Sequence, residues 1–382
     1  MFRDCLLGDV LTLKRGYDLP SQSRIEGAIP VVSSSGISGT HSEAKVKGPG
    51  VVTGRYGTIG EVHYVPGDFW PLNTTLYVQD FKGNDPRFIS YFLQTLDLAS
   101  RNAASAVPGV NRNDLHRLPV RCPDIGRQRR VASILSAYDN LIENNTRRIA
   151  ILEEMARRIY EEWFVRFRFP GHEGVRMAES ELGLVPEGWS IQGLYDVAEL
   201  TYGFPFKSKL FDNVKEGVGV IRIRDIKGDQ TNTFTTETAD PKYRVSNGDI
   251  LVGMDGEFHM GCWAGGDAWL NQRVVRFRPL EGIPRSWLFL STFGPIKVLE
   301  STIVGTTVAH LSARDLKEMR LVAPTQDVLR HAGEALEPLF DLALTLKLKN
   351  ANLRTTRNLL LPKLVSGELD ASELPAPEAI AA

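Results

Sequence analysis

With 382 residues, 42% hydrophobic and 24% charged, the chain has the make-up of a globular protein of two or three domains. No apolar run reaches the ~20 residues of a membrane span, and Met1-Phe2-Arg3-Asp4 does not open a signal peptide. Three scattered cysteines, Cys5, Cys122 and Cys262, fit neither a disulfide framework nor a zinc site, so a reducing, cytoplasmic location is expected. The net charge of −1 by itself argues against a nucleic-acid binder, but it hides a local bias: Asn111 to Arg130 sets six arginines against two aspartates.

In chain order, the first feature is a stretch that returns. Phe2 to Gly16 is matched by Trp189 to Gly203 at a shift of 187, which aligns Leu7 with Leu194, Asp9 with Asp196, Val10 with Val197 and Leu13 with Leu200. Gly54 and Gly57 match Gly253 and Gly256 at a shift of 199, and Asp114-Leu115 and Pro123 match Asp315-Leu316 and Pro324 at 201. Internal repetition dictates architecture, so two similar units are expected, sharing a frame while the segments inside it differ. Within them, residues 28–32, 50–53, 76–78, 218–223, 249–252 and 273–277 read as strands between turn residues, and 86–98 and 284–290 read as helices.

Each unit leads into a long helix. From Val131, steps of four and three land on Leu135, Tyr138, Ile142, Asn145, Ile149, Leu152, Ala156, Ile159 and Trp163, so nine of ten positions are apolar. Adding 201 gives Ala332, Leu336, Leu339, Ala343, Leu346, Asn350, Leu353, Arg357, Leu360 and Leu364, eight of them apolar. Two such seams in phase imply that the helices pack on each other. Asn145 and Asn350 fall at different layers of the pattern, and a seam Asn can fix register. Asp124 and Thr325 are candidate N-caps, Glu143–Arg147, Glu153–Arg157 and Glu154–Arg158 are candidate ion pairs, and Pro338 should kink or start the second helix. Residues 166–188 read as a loop, and those from Ser366 on as a frayed tail.

There is no phosphate-binding loop, no H-E-x-x-H, no C-x-x-C and no Asn-Pro-Pro or Asp-Pro-Pro run followed by an aromatic. Gly54-Arg-Tyr-Gly57-Thr-Ile-Gly60 lacks dinucleotide spacing and reads as a tight turn; Asp255 and Glu257 read as turn and surface residues. What remains is a set of polar and basic residues on loops. In the first unit these are Ser34, Ser35, Lys45, Arg55, Tyr56, Asn111 and Arg112; in the second, Lys207, Arg222, Arg224, Lys227, His259, Asn271, Gln272 and Arg273. Arg suits guanine, Asn and Gln suit adenine, and Ser and Lys suit phosphate, so this is a candidate DNA-reading set.

Taken in order, Gly54 to Gly60, Val185-Pro-Glu-Gly-Trp189 with Asp196 to Gly203, Gly248 to Phe258, Trp269-Leu-Asn-Gln-Arg-Val274 and Leu364-Val-Ser-Gly-Glu-Leu369 resemble the DNA-specificity subunit of type I restriction-modification systems. The first unit departs where Leu72-Asn73 is followed by Thr-Thr rather than Gln-Arg. The resemblance implies an α+β protein with two similar mixed α/β target recognition domains, separated by two long antiparallel helices in a coiled coil with pseudo-two-fold repetition. Domain boundaries follow: 1–122 and 189–323 for the recognition domains, 123–166 and 324–365 for the helices, 167–188 for the linker and 366–382 for a flexible tail.

It also implies a non-catalytic subunit that reads a bipartite, asymmetric site in double-stranded DNA. Two methyltransferase subunits would dock on it, bringing S-adenosylmethionine, and restriction and motor subunits would add ATP and Mg; this chain itself would bind no cofactor. The alternatives are a stand-alone DNA binder without restriction partners and a coiled-coil scaffold. A helix of roughly 58 Å compares with about 34–36 Å per DNA turn, so helix length should act as a ruler. Inserting one heptad in both helices should change the spacer that is recognised and leave both half-sites intact, as methylome sequencing would report.

Overall fold

The computed structural model describes residues 2–98, 109–212, 216–302 and 309–374. They form two compact units, one of residues up to Ile142 together with those from Leu353 on, the other of Glu143–Asn352, so both boundaries fall inside long helices.

In the first unit, Phe2–Leu6 pairs antiparallel with Pro119–Pro123, with Phe2 opposite Pro123. A one-turn helix, Leu7–Val10, then delivers the chain to an antiparallel sheet ordered Thr12–Arg15, Thr75–Asp80, Gly50–Gly54, Val62–Val65. A smaller sheet carries Ile29–Ser33 between Gly36–His41 and Trp70–Pro71, the latter pairing parallel. Alternation along these strands sends Leu13, Val51, Leu76 and Val78 into the core, where Phe88, Ile89 and Phe92 of the amphipathic helix Pro86–Gln94 cover them.

The second unit repeats this plan. Ser190–Gly193 pairs with Arg320–Ala323, the turn of helix is Leu194–Val197, and the sheet runs Ala198–Tyr202, Val274–Pro279, Ile250–Gly253, Met260–Cys262. The parallel pair is Val218–Ile221 with Ala268–Leu270, but here it belongs to a five-stranded sheet with Phe211–Asp212, Phe234–Thr235 and Arg244–Val245. The shared frame and differing contents expected from the shifts are therefore present, as is the α+β class.

The first long helix spans Ile125–Tyr160 and continues as a π-turn, Glu161–Val165, where Arg166 N–H donates to Glu161 five residues back. The second spans Gln326–Ser366 without interruption, so Pro338 does not start it. Asp124 Oδ1 accepts from Arg127 N at 3.1 Å and Thr325 Oγ1 from Val328 N at 3.5 Å, the N-cap roles read from sequence. Arg157 pairs with Glu154, not with Glu153.

Within each unit the helices run antiparallel. In the first, Leu135 and Tyr138 share a core with Leu360 and Leu364, and Arg357 reaches Asp139 at 2.6 Å. In the second, Ile159 and Trp163 share a core with Leu336 and Leu339, Leu346 is buried, and Ile149 and Leu152 are half-buried. Ile142 and Leu353 lie at the unit boundary, both half-buried. The placement of the seam amides differs from expectation. Asn145 and Asn350 are not in different layers: Asn145 Nδ2 donates to Asn350 Oδ1 at 2.9 Å, both side chains buried. Antiparallel packing reverses the layer order of the second helix, so positions that are out of step in sequence meet in space.

Two connecting segments are also more ordered than their composition implies. Residues 166–188 contain a hairpin, Met177–Ser180 with Gly183–Pro186, turned by Gly183 at φ +97°, and the Phe169 ring lies against that of Trp189 at 5.2 Å in a tilted pair. Of the expected tail, residues 367–374 are held on the first unit, with Ala371 buried and Arg130 donating to the carbonyls of Ala371 and Leu374; residues 375–382 lie outside the described residues. The arginine-rich stretch is partly engaged here. Arg121 and Arg127 stack over the Phe2 ring at 4.8 and 5.2 Å, and Arg127 pairs with Asp370 at 3.2 Å. No helix of the described residues is long and apolar enough to cross a membrane.

Candidate nucleic-acid interface

In the first unit the glycine-rich segment forms the turn between Gly50–Gly54 and Val62–Val65. Gly57 and Gly60 adopt φ of +76° and +88°, a region that β-carbons disfavour, and a Cβ on Gly54 would strike the Thr58 carbonyl. Arg55 N and Tyr56 N donate to the Thr74 carbonyl at 2.9 and 3.2 Å, and Val110 N donates to the Arg55 carbonyl at 3.0 Å. The turn is thus clamped between two other loops. Arg55 lies over the Tyr56 ring at 4.6 Å, and that ring rests on Gly109, where a Cβ would overlap it.

Ser34 sits against the same turn, its Oγ 3.3 Å from where a Cβ on Gly57 would be, and Ser35 Oγ is 3.1 Å from Ser33 Oγ. Asn111 caps the short helix Arg112–His116 through Asn113 N, leaving exposed Arg112 in its first turn. Ser34, Arg55, Tyr56 and the Gly109–Asn111 segment are therefore brought together. Lys45 is placed elsewhere, over Trp70 at 4.9 Å. The Tyr17 phenol is lowered by its hydrogen bond to Tyr77 and by Lys14 and Lys45.

The second unit builds the same clamp with other side chains. Met254 N donates to the Arg273 carbonyl at 2.9 Å, and Leu311 N to the Met254 carbonyl at 2.8 Å. Met254 and Asp255 thus occupy the backbone positions of Arg55 and Tyr56, Arg273 that of Thr74, and His310 that of Gly109. Asp255 Oδ2 lies 3.2 Å from Arg273 Nε and its Oδ1 accepts from His310 Nδ1 at 2.6 Å. Beside them, Glu257 pairs with Lys227 at 2.8 Å and lies 3.3 Å from His259 Nδ1. Burial, with Lys227 nearby, lowers the His259 pKa.

The remaining candidates divide. Arg222 turns back onto Thr233 and the Phe211 ring, and burial lowers its pKa. Lys207 pairs with Glu237 at 3.8 Å, whereas Arg224, 3.7 Å from Asp225, keeps its side chain exposed. Gln272 is exposed, and Asn271 Oδ1 is buried without a hydrogen-bond partner among the described residues.

The structure also shifts one equivalence between the units. Leu72 bridges Tyr17 as Asn271 bridges Phe204, and Gly16 and Gly203 each back directly onto those two carbonyls. Asn73 and Thr74 are therefore the counterparts of Gln272 and Arg273, and the shared Leu-Asn dipeptide misled by one residue. Asn73, which donates to Asp18, and His310 were missed. Carrying the 201 shift onto Gly109 would have pointed to His310.

The family model for the type I restriction modification DNA specificity domain matches residues 4–154 and 186–352. Among curated relatives, the type I restriction enzyme MjaIX specificity subunit of Methanocaldococcus jannaschii is 25% identical over 291 residues, 72% of this chain and 66% of that protein. The EcoBI specificity subunit of Escherichia coli is 33% identical over 156 residues, 41% of this chain and 33% of that one. The matched region thus spans just under two thirds of one relative and a third of the other. The crystal structure of a type-I restriction-modification system S subunit from M. genitalium shares the fold, with a TM-score of 0.62 at 15% identity and 96% coverage of both chains. Because the family model covers both repeats and well over half of the residues, this chain belongs to the type I restriction modification DNA specificity family.

Proposed function

We propose that the chain is the non-catalytic, sequence-reading subunit of a type I restriction-modification complex in the cytoplasm. It binds double-stranded DNA at a bipartite, asymmetric site, one half per recognition domain, 1–122 and 189–323. One observation carries this reading: a turn clamped by two equivalent backbone hydrogen bonds carries Arg55 and Tyr56 in one unit, and in the other a core-buried Met254 followed by Asp255. A conserved frame with exchanged side chains suits two different base sequences, since base edges are told apart by donor and acceptor pattern while the frame only positions.

The long helices serve as the docking surface for two methyltransferase subunits, which bring S-adenosylmethionine; restriction and motor subunits bring ATP and Mg. The test is binding of a randomised duplex library by the full chain, with and without a methyltransferase partner. Selected duplexes should share two short motifs at fixed spacing, and affinity should fall steeply with salt, with a slope of about −0.9 per neutralised phosphate. Methyl transfer from S-adenosylmethionine should be absent until the partner is added. A coiled-coil scaffold with no DNA role would show neither selection nor salt dependence.

A further inference from the structure

We infer that the second unit recognises a guanine edge through Arg273, and that Asp255 and His310 are positioning residues that aim its guanidinium. The inference rests on the DNA-reading function proposed above and names a base for one half of the site.

Arg273 lies on a loop whose backbone is fixed, because its carbonyl accepts the Met254 N–H and the preceding Asn271 carbonyl accepts the Val274 N–H, each at 2.9 Å. Its side chain remains 55% exposed. An exposed arginine ordinarily samples many rotamers, and that freedom is lost when it is immobilised. Here Arg273 Nε forms an ion pair with Asp255 Oδ2 at 3.2 Å, while Asp255 Oδ1 accepts from His310 Nδ1 at 2.6 Å. The carboxylate is therefore engaged on both oxygens, by the His310 hydrogen bond on one and by the Arg273 charge on the other.

A guanidinium tethered at Nε keeps both Nη groups for a planar partner with two acceptors. Guanine O6 and N7 supply that pattern in the major groove. Phosphate is the competing partner for the same fork, but it carries charge. The Asp255 carboxylate repels the full charge of a phosphate oxygen far more than the partial charges of a neutral base edge. The tether thus both aims the arginine and selects against the backbone.

The first unit lacks the device. Thr74 and Gly109 stand at the positions of Arg273 and His310, and Tyr56 fills the place of Asp255. The dependence should therefore appear in one half-site only.

The experiment measures binding of the full chain to duplexes varied one base pair at a time, across a range of salt. Wild type should require a G·C pair at one position of one half-site. Arg273→Ala should reduce discrimination at that pair by about 5- to 150-fold and leave the other half-site unchanged. Asp255→Asn, which keeps the shape, and Asp255→Ser should lose discrimination at the same pair while the salt slope stays the same or steepens, because a freed arginine can reach phosphate. His310→Gln should shift the same position in the same direction, by less.

Evenly weakened binding of all sequences by Arg273→Ala, with a salt slope shallower by about one, would make Arg273 a phosphate contact and overturn the inference. Wild-type discrimination in both Asp255 variants, with normal thermal unfolding, would equally overturn it. A wild-type chain that binds duplexes without preference would instead remove the proposed function itself.

Discussion

Gly203→Ala should unseat the loop that carries Asn271, Gln272 and Arg273, lowering the melting temperature and erasing sequence preference in one half-site. A Cβ built on Gly203 falls 1.9 Å from the Asn271 carbonyl oxygen, far inside the 3.0 Å that real side chains keep, and 2.9 Å from Gln272 N. These are backbone atoms, so no rotamer change relieves the overlap. The backbone here is pinned on both sides, Gly203 N to the Val274 carbonyl at 3.0 Å and Phe204 N to that of Leu270 at 2.9 Å. The cost should reach the upper end of the ~1–3 kcal/mol seen for overpacking. Gly16→Ala should do the same to the first unit, through the carbonyls of Pro71 and Leu72. Gly228→Ala, with nothing within 4 Å, is the control and should be nearly silent. An unshifted melting temperature and intact base preference for Gly203→Ala would refute the close-approach argument.

The second large effect concerns the buried amides. Asn145→Leu removes the donor that meets Asn350 Oδ1 at 2.9 Å, where the two residues are 7% and 2% exposed. Stranding a buried amide costs about 1–3 kcal/mol, more than the net ~0.5–1.5 kcal/mol of the bond itself. Asn350→Leu should cost a similar amount and also removes the 3.3 Å bond to Thr146 Oγ1. The double leucine variant should recover much of the loss, since two apolar groups of matched shape can replace a buried polar pair. What it gives up is alignment: leucine meets leucine equally well one turn away, whereas amide meets amide in one register. Urea unfolding of the four proteins completes the cycle. Additive single effects, with no recovery in the double variant, would mean the amides do not act as a pair.

Much of this was readable from the chain because the signals are local and repeated. The seam at steps of four and three, the caps Asp124 and Thr325, and the shifts of 187, 199 and 201 each depend on neighbours along the sequence. Properties that depend on partners far along the chain were not readable. The pairing of Asn145 with Asn350 requires the helix directions, and the engagement of Arg121, Arg127 and Arg130 requires knowing that Phe2 and residues 370–374 lie beside them. The hairpin within 166–188 was masked by glycines that read as breakers, although Gly183 is what closes its turn. At the candidate interface, composition identified which loops carry polar side chains. It did not separate Arg222, turned back onto Thr233, from Arg273, still exposed; that distinction lies in side-chain partners.

The first unit takes its last helical stretch and residues 367–374 from sequence more than 200 positions beyond Ile142, whereas the second is one unbroken segment. On the ribosome the order of completion is then inverted. The later-made unit has all its residues first, and the earlier-made one must wait, with Leu135 and Tyr138 uncovered, until Leu360, Leu364 and Ala371 have emerged. That interval is when nascent molecules are most open to wrong pairing, because the bare helix face of one will accept the matching face of another.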